Sequence, residues 1–218
     1  MDCGRCTRVS LPRMDLFAHP LSEQDADPDP LRQFAAWFRE AGDSGVRAPE
    51  AMAVATATPD AEPSVRMVLM KQFDERGFVF FTNYESRKGQ VLLANPRAAL
   101  LFHWDTLGRQ VRIEGPAERV GAEESAAYVR SRPRGSQLSA LASPQSSVVE
   151  NRQQLEEWVG KLAARYGDAE LPLPKSWGGF RLVPETFEFW QHREDRLHDR
   201  LRYTRCPDGR WRLERLAP

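Results

Sequence analysis

Excess charge, long apolar runs and a secretion signal are all missing from this chain of 218 residues, in which 31 basic residues balance 31 acidic ones. Without bulk charge, neither a nucleic acid nor an acidic membrane is an expected partner. No apolar run approaches the roughly 18 to 20 residues that a membrane span needs, and the N-terminus lacks the apolar segment of a signal peptide. These absences predict a cytoplasmic protein that does not bind membranes.

Cysteine is also scarce, with 3 in the whole chain. Cys3 and Cys6 form a single C-x-x-C pair, and Cys206 lies far away in the sequence. Because a structural zinc site needs more ligands than this, we predict no metal site. A frayed tail is the preferred interpretation of Cys3 and Cys6, with a metal or redox role as the alternative.

The length suits one substantial domain. Residues 1–28 contain Pro12, Pro20 and Pro28 among polar residues, a composition that buries too little surface to order itself, so we predict a flexible N-terminal arm. Asp29 and Pro30 are typical of a helix start, which places the beginning of a single domain, 29–218, at this point.

Strand-like segments follow one another with few intervening helices. Val, Phe and alternating apolar residues predict strands at Ala51–Thr58, Val65–Phe73, Gly77–Thr82, Ala98–Trp104, Arg109–Gly115, Trp177–Val183, Thr186–Gln191, Leu201–Thr204 and Arg210–Arg215. Helices are predicted at 90–94, 122–130 and 148–166. The pattern predicts a mainly β (α+β) fold, an antiparallel sheet or barrel with flanking helices, and no G-x-G-x-x-G motif follows a strand.

The segment 64–88 is the first candidate site. Val65–Phe73 and Gly77–Thr82 are predicted to pair as one hairpin, with Arg66 and Lys71 in its first strand and Ser86-Arg87-Lys88 just beyond its second. Such cations around a hydroxyl suit a phosphate group. The alternative is that Arg66 and Lys71 face solvent on an edge strand. The two are five positions apart, so in a regular strand they point to opposite faces unless a bulge intervenes.

Two further clusters repeat the anion-binding theme. Tyr128, Arg132 and Ser136 are spaced by four, so in a continuous helix they project from one side and could share an anion. The alternative is that Arg132 caps the helix C-terminus. In an extended segment, His198 points to the same side as its neighbours Arg196 and Arg200, and this positive group favours an anionic or electron-rich ligand.

Several longer motifs occur in order between about Leu31 and Pro218: RMVLMK, FFTNYESRKG, LGRQVRIEG, YVRSRPRGSQ, SPQSS, SWGGFRL, FEFWQ and RLHDR. Together they resemble the pyridoxine (pyridoxamine) 5′-phosphate oxidase family. The resemblance implies an FMN-binding split barrel that works as a homodimer with flavin sites at the subunit interface. It also implies oxidation of pyridoxamine 5′-phosphate and pyridoxine 5′-phosphate to pyridoxal 5′-phosphate by O2, with release of H2O2 and, from the amine, ammonia.

The resemblance also implies site residues, by matching motif. The FMN-binding set is Arg66, Met67, Val68, Leu69, Met70, Lys71, Phe81, Thr82, Arg87, Lys88, Gln110, Gln145, Ser146, Trp190 and Arg200. The substrate-binding set is Lys71, Tyr128, Arg132, Ser136, Arg196, Leu197 and His198, with Arg196 and His198 as the catalytic pair. On this interpretation Arg66 serves the cofactor phosphate and Lys71 lies where substrate and flavin meet, so each phosphate has its own cations.

The chain departs from the family pattern at two places. Phe81 stands where relatives often have tyrosine, and Arg13 in the N-terminal arm is followed by Leu16 where relatives can have a tyrosine. Two alternative functions stay open: a related flavin oxidase with another, phenazine-type substrate, and a non-catalytic protein that binds flavin or pyridoxal phosphate.

Overall fold

The structure is a computed structural model that describes residues 20–218, so Cys3, Cys6, Arg13 and Leu16 lie outside the described residues. The helices are α1 Pro30–Asp43, α2 Arg87–Ala94, α3 Ala122–Ser131, α4 Arg134–Ala142 and α5 Arg152–Tyr166. The strands are β1 Ala51–Ala57, β2 Pro63–Leu69, β3 Gln72–Asp74, β4 Gly77–Asn83, β5 Arg97–Trp104, β6 Arg109–Arg119, β7 Trp177–Leu182, β8 Thr186–Gln191, β9 Asp199–Arg205 and β10 Trp211–Arg215. Within this range, no helix has both the length and the apolar character that crossing a membrane requires.

The strands form one curled antiparallel sheet. One path of hydrogen-bonded neighbours runs β10-β9-β8-β6-β5-β1-β2, and a second runs β3-β4-β7-β6. Since only Met70 and Lys71 separate β2 from β3, the two paths meet again and the sheet closes into a barrel, from which β8, β9 and β10 extend. The predicted antiparallel barrel with flanking helices is therefore confirmed.

Strand β6 belongs to both parts of the sheet. Its first half pairs with β8 over 109–114, and its last residues pair with β7 over 117–119. Gly115 lies at the change of partner, where a β-carbon would overlap the backbone carbonyl of Val183. The lack of a side chain at this position lets two backbones approach closely.

Helix α1 packs against the barrel core. Its start follows the predicted pattern, because the Asp29 side chain accepts a hydrogen bond from the Leu31 N–H and Pro30 occupies the first turn. Phe34 on this helix is fully buried and meets Phe78 and Phe102 edge to face, with ring centroids 4.9 and 5.0 Å apart. This aromatic contact joins α1 to both parts of the sheet.

The prediction that Val65–Phe73 and Gly77–Thr82 form one hairpin was wrong. Strand β2 pairs with β1, whereas the short β3 pairs with β4. The change of partner falls at Met70, whose N–H donates to Glu50, and Lys71, whose N–H donates to Val79. Arg66 and Lys71 therefore do not lie on one regular strand, and alternation along a strand does not relate them.

The helix predicted at 122–130 is present, but it does not continue from Tyr128 through Ser136, so these residues do not project from one side of it. Helix α3 ends at Ser131, and Arg132 is extended with φ −80° and ψ 151°. A residue that precedes proline avoids the helical region, and here Pro133 follows. A new helix, α4, starts at Arg134. Similarly, α5 begins after its capping residue Asn151 and not at Val148 as predicted.

Residues 20–28, part of the predicted arm, lie against β9 and β10. The Leu21 N–H donates to Asp199, and the Tyr203 hydroxyl donates to the Asp27 carbonyl at 2.8 Å. Arg215 forms an ion pair with Glu23 at 2.7 Å. These contacts dock the described part of the arm, while the domain boundary at residue 28 stays a prediction.

Candidate functional site

Arg66 on β2 is held by its own strand and by β1. Its guanidinium donates to the Val54 carbonyl at 3.0 Å, to the Thr56 hydroxyl at 2.8 Å and to the Ser64 hydroxyl at 2.6 Å. All of these acceptors are uncharged. The contacts fix the direction of the fork without neutralising its charge, so the guanidinium keeps its capacity to bind an anion.

Lys88 lies at the start of α2, next to the end of β4. Its ammonium donates to the Thr82 hydroxyl and to the Gln145 side-chain oxygen, both at 3.0 Å. Ser86 caps this helix through its contact with the Gly89 N–H. A capped helix N-terminus carries partial positive charge, and this adds to the charge of Lys88 and Arg87.

The three cations Arg66, Arg87 and Lys88 are positioned close enough to repel one another. Burial, with a smaller effect of Arg87, lowers the pKa of Arg66. Burial, with a smaller effect of Arg66, lowers the pKa of Lys88. Within residues 20–218 none of the three forms an ion pair. Uncompensated positive charge supported by hydroxyl groups fits a phosphate monoester, whose charge would relieve the repulsion.

A cavity of about 320 Å³ opens beside this cluster. Its lining consists of Phe81, Thr82, Asn83, Arg132, Ser136, Ser139, Ala140, Ser143, Gln145 and Trp177. Thr82 and Gln145 come from the predicted cofactor set, whereas Arg132 and Ser136 come from the predicted substrate set. The structure thus brings the two sets to one cavity, although Arg132 and Ser136 do not share the continuous helix that would align them.

Aromatic rings form one wall of this site. Phe81 stacks on Tyr128 with 3.8 Å between ring centroids, and Trp177 lies nearly parallel to both at 5.9 Å. The Arg132 guanidinium lies over the Trp177 ring at 5.1 Å. Burial raises the pKa of Tyr128, against a smaller opposing effect of Arg132. Tyr128 therefore keeps its hydroxyl proton at neutral pH and can donate it to a phosphate oxygen.

His198 belongs to a second cluster, in the turn between β8 and β9. Its ring lies 4.6 Å from Trp190 and 5.2 Å from His192. The segment is not extended as alignment of these side chains would require, because residues 194–196 form a short 3-10 turn in which Arg196 has φ 63°. Arg196, His198 and Arg200 therefore do not project from one side of a strand.

The Arg200 side chain is half-buried and forms hydrogen bonds with other residues of the same chain. Its guanidinium donates to the Glu188 carboxylate at 2.9 Å and to the Ala217 carbonyl at 2.7 Å. Trp190 lies directly opposite Arg200 in the β8–β9 pair, and Gln110 lies opposite Trp190 in the β6–β8 pair. Three members of the predicted cofactor set are thus neighbours across the sheet.

The two clusters line different cavities. Leu197 and His198 line a separate opening of about 260 Å³ together with Asp199, Arg215 and 216–218. Arg196 is exposed, and it is absent from the lining of both cavities. The predicted phosphate anchor and the predicted catalytic pair are therefore separate in the part of the chain that the structure describes.

The remaining predicted residues lie along β2 and in two exposed positions. On β2, Met67 and Leu69 are exposed, Val68 is half-buried, and Met70 after the strand is buried. Lys71 is exposed, and so is Ser146, which has φ 76°. The contact of these residues with a cofactor stays a prediction.

Sequence reasoning missed several residues that line or support the site. Trp177, Asn83, Ser139 and Ser143 line the first cavity. Thr56 and Glu188 hold Arg66 and Arg200. Trp177 is the second residue of the motif SWGGF, and an aromatic residue at a strand end beside two glycines was the available signal. The others carry no local pattern, because their partners are distant in the sequence.

Comparison with known proteins shows which family shares these features. A family model described as "Pyridoxamine 5'-phosphate oxidase" matches residues 38–190, and one described as "Pyridoxine 5'-phosphate oxidase C-terminal dimerisation region" matches residues 177–218. A pyridoxine/pyridoxamine 5′-phosphate oxidase from Rubrobacter xylanophilus is 57% identical over 198 residues, 91% of each chain. One from Ralstonia nicotianae is 54% identical over 212 residues, 97% of this chain and 100% of the relative.

Solved structures agree on the fold. The crystal structure of PhzG from Burkholderia lata in complex with tetrahydrophenazine-1-carboxylic acid matches with a TM-score of 0.86 and 33% identity, covering 92% of this chain and 99% of the other. An FMN-binding, pyridoxamine 5′-phosphate oxidase-related protein from Nostoc punctiforme matches with a TM-score of 0.67 and 17% identity, covering 87% and 98%. From the motifs, the barrel and these matches, the chain belongs to the pyridoxamine 5′-phosphate oxidase family.

Proposed function

We propose that this protein is an FMN-dependent oxidase that converts pyridoxamine 5′-phosphate and pyridoxine 5′-phosphate to pyridoxal 5′-phosphate. The observation that carries the proposal is the single cavity to which Thr82 and Gln145 contribute from the predicted cofactor set, and Arg132 and Ser136 from the predicted substrate set. The names of relatives at 50–57% identity support the choice of substrates.

The uncompensated cations suit the phosphate of FMN. Arg66, Arg87 and Lys88 would hold that phosphate, with hydroxyl groups of Thr82 and Ser86 close to the ammonium of Lys88. Bound FMN would accept a hydride from the substrate and pass the electrons to O2, which leaves as H2O2. The protein supplies binding, orientation and charge for this chemistry.

The substrate phosphate has its own anchor. Arg132 supplies a guanidinium fork, Ser136 a hydroxyl and Tyr128 a phenol that stays protonated, while the exposed Lys71 adds a point charge. These groups lie at the phosphate end of the substrate, away from the carbon that is oxidised. Their contribution is therefore affinity and orientation.

Arg196 and His198 act at the other end of the substrate, near the reacting carbon. Since neither lines the cavity of Arg132 and Ser136 within a single chain, we infer that a second copy completes the site. The match of residues 177–218 to a dimerisation region supports a homodimer. The exposed apolar side chains of Val65, Met67 and Leu69 along β2 support the same assembly.

The test is anaerobic mixing of the FMN-loaded protein with each substrate while flavin absorbance is followed. We expect bleaching with pyridoxamine 5′-phosphate and pyridoxine 5′-phosphate, and then H2O2 release when air is admitted. Tetrahydrophenazine-1-carboxylic acid serves as the comparison substrate, because the structurally similar PhzG was solved in complex with this compound. Protein that binds FMN but stays oxidised with both vitamin phosphates is a carrier, and protein that is reduced only by the phenazine compound has the alternative activity.

Kinetics of variants test the roles of the two clusters. Arg132→Ala is expected mainly to raise KM, because its contact is made equally before and during the reaction. Arg196→Ala is expected mainly to slow flavin reduction. A slow hydride transfer with unchanged substrate affinity in Arg132→Ala contradicts these roles.

Size and mass of the protein in solution, measured with and without FMN, test the homodimer.

A further inference from the structure

The His198 ring makes a hydrogen bond that defines its chemistry. The backbone N–H of Arg193 donates to Nδ1 of His198 at 3.1 Å. A neutral imidazole has one nitrogen that accepts and one that carries hydrogen. Because Nδ1 is the acceptor, the hydrogen of the neutral ring is on Nε2. Protonation of Nδ1 would turn an accepted hydrogen bond into a clash of two donors.

The charged groups around His198 also disfavour its protonated form. His192 follows β8, and Arg196 belongs to the 3-10 turn, so both neighbours that oppose a positive charge on His198 come from the same connection. The neighbouring carboxylate, Asp199, is already paired with Arg193 at 2.7 Å and with Arg215 of β10 at 2.9 Å. Burial, then His192, then Arg196 lower the pKa of His198.

The turn that this hydrogen bond closes is strained. Asp195 and Arg196 both have left-handed backbone angles, φ 54° and φ 63°. Such angles are uncommon for residues other than glycine, asparagine and aspartate, so the strain lies mainly at Arg196. The Arg193 to His198 bond spans the strained pair and holds Arg196 in place. His198 therefore has a structural contact at Nδ1 and, among residues 20–218, a donor at Nε2 without a hydrogen-bond partner.

We propose that His198 works as a neutral hydrogen-bond donor through Nε2–H, with Nδ1 committed to the Arg193 backbone, and that it neither takes nor gives a proton during the reaction. The acceptor is an oxygen atom of the bound substrate. Only the identity of that acceptor rests on the proposed function, because the tautomer is a property of the protein itself.

Two substitutions separate the two nitrogens. His198→Asn keeps an oxygen near the position of Nδ1 and lacks a donor at Nε2, whereas His198→Gln places an amide N–H near Nε2 and lacks the acceptor at Nδ1. We expect His198→Asn to slow flavin reduction by about 10- to 100-fold. His198→Gln should recover a large part of that rate while raising KM. Equal loss in both variants would mean that a proton is transferred and would overturn the proposal.

A control variant tests whether the rate simply follows the shape of the turn. Asp195→Gly changes the turn but keeps both histidine nitrogens, and glycine accepts the left-handed angle without strain. Its rate of flavin reduction is expected to stay within about twofold of the unsubstituted protein. A loss as large as that of His198→Asn would assign the effect to backbone geometry and contradict the donor role.

Nitrogen NMR gives a readout that does not depend on activity. The FMN-loaded protein is labelled with ¹⁵N-histidine, which produces signals from 4 residues, and the His198 signals are those lost in His198→Asn. At pH 7 we expect a protonated Nε2 and an unprotonated Nδ1. A protonated Nδ1, in either the neutral or the charged ring, refutes the assignment. If neither vitamin phosphate reduces the flavin, the proposed function fails while the NMR result still decides the tautomer.

Discussion

Phe81 on β4 and Tyr128 on α3 stack face to face, with ring centroids 3.8 Å apart and an interplanar angle of 9°. The contact joins a residue of the predicted cofactor set to one of the predicted substrate set, across 47 positions of sequence (128 − 81). Helix α3 is therefore attached to the barrel at the site itself.

This stack predicts an energetic coupling between the two rings. In a double-mutant cycle with Phe81→Leu and Tyr128→Leu, we expect a coupling of about 0.5–1.5 kcal/mol in the free energy of unfolding, the usual value for an aromatic pair beyond burial. Urea unfolding of the four proteins measures it. Tyr166→Leu, at the end of α5 and without a ring contact to Phe81, should combine additively with Phe81→Leu, and a coupling of equal size there would show that the stack is not the cause.

Lys88 is expected to favour FMN binding while opposing stability of the FMN-free protein. Burial and Arg66 lower its pKa, so its charged form is disfavoured on folding at neutral pH. Lys88→Met should weaken FMN binding by about 10- to 100-fold, the value of one or two charge-assisted hydrogen bonds, and should leave the unfolding free energy of the FMN-free protein equal or higher.

Fluorescence titration with FMN and denaturant unfolding measure the two effects of Lys88→Met. The matched control is Lys161→Met, on the exposed surface of α5, which should change neither quantity. If Lys88→Met left FMN affinity intact, the three-cation cluster would not be the phosphate site.

The docking of residues 20–28 is expected to depend on pH. The hydrogen bond from Arg215 lowers the pKa of Glu23 from 4.5 to about 2. Burial raises the pKa of Asp199, but hydrogen bonds from Arg193, Leu21 and Arg215 outweigh it, and the net change is downward. Carboxylates with a depressed pKa stabilise the fold above their unfolded-state pKa, and that contribution disappears as pH falls.

For Glu23, the stabilising contribution is complete above about pH 4.5 and is lost progressively toward pH 2. Hydrogen exchange of the Leu21 amide should accelerate over that window relative to core amides, after correction for intrinsic rates. Glu23→Gln should produce faster exchange already at pH 7, whereas Glu62→Gln in the exposed β1–β2 turn should not. Unchanged protection in Glu23→Gln would mean that Arg215 does not hold this segment.

Two glycine substitutions are expected to have opposite effects on stability. Gly115→Ala places a methyl group on the Val183 carbonyl, and neither backbone can move without breaking β6 pairing. We expect a loss of about 1–3 kcal/mol or more. Gly160→Ala, in α5 with open space around it, should gain about 0.5–1 kcal/mol from helix propensity. Thermal or urea unfolding checks both, and equal effects would contradict the close approach at β6.

Local signals predicted much of the fold correctly. Asp29 and Pro30 mark the start of α1, and the strand-rich order of the chain indicates an antiparallel barrel. Capping and alternation act within a few residues, so they can be read from a single sequence. The predicted hairpin of Val65–Phe73 with Gly77–Thr82 failed because Met70 and Lys71 bond to separate partners in the sheet.

For the site as well, the sequence identified residues correctly but did not predict their arrangement. The motifs identified Arg132 and Ser136 together with Thr82 and Gln145, and one cavity contains all four. The geometries that would align each cluster are absent from the described residues, since Arg132 before Pro133 leaves the helical conformation and a turn at 194–196 stands in place of an extended segment. Trp177 and Glu188 were missed because their roles depend on contacts with Arg132 and Arg200, distant in sequence.

The sequence by itself determined the kind of fold and the chemical types at the site, because helix caps, strand alternation and cationic motifs are local properties. Only the tertiary structure decided which strands pair, where Arg66 and Lys88 gather without a compensating acid from the described residues, and which nitrogen of His198 accepts a hydrogen bond. Those outcomes depend on non-local backbone pairing, in which residues far apart in the chain compete for the same neighbour, and no local pattern records the result.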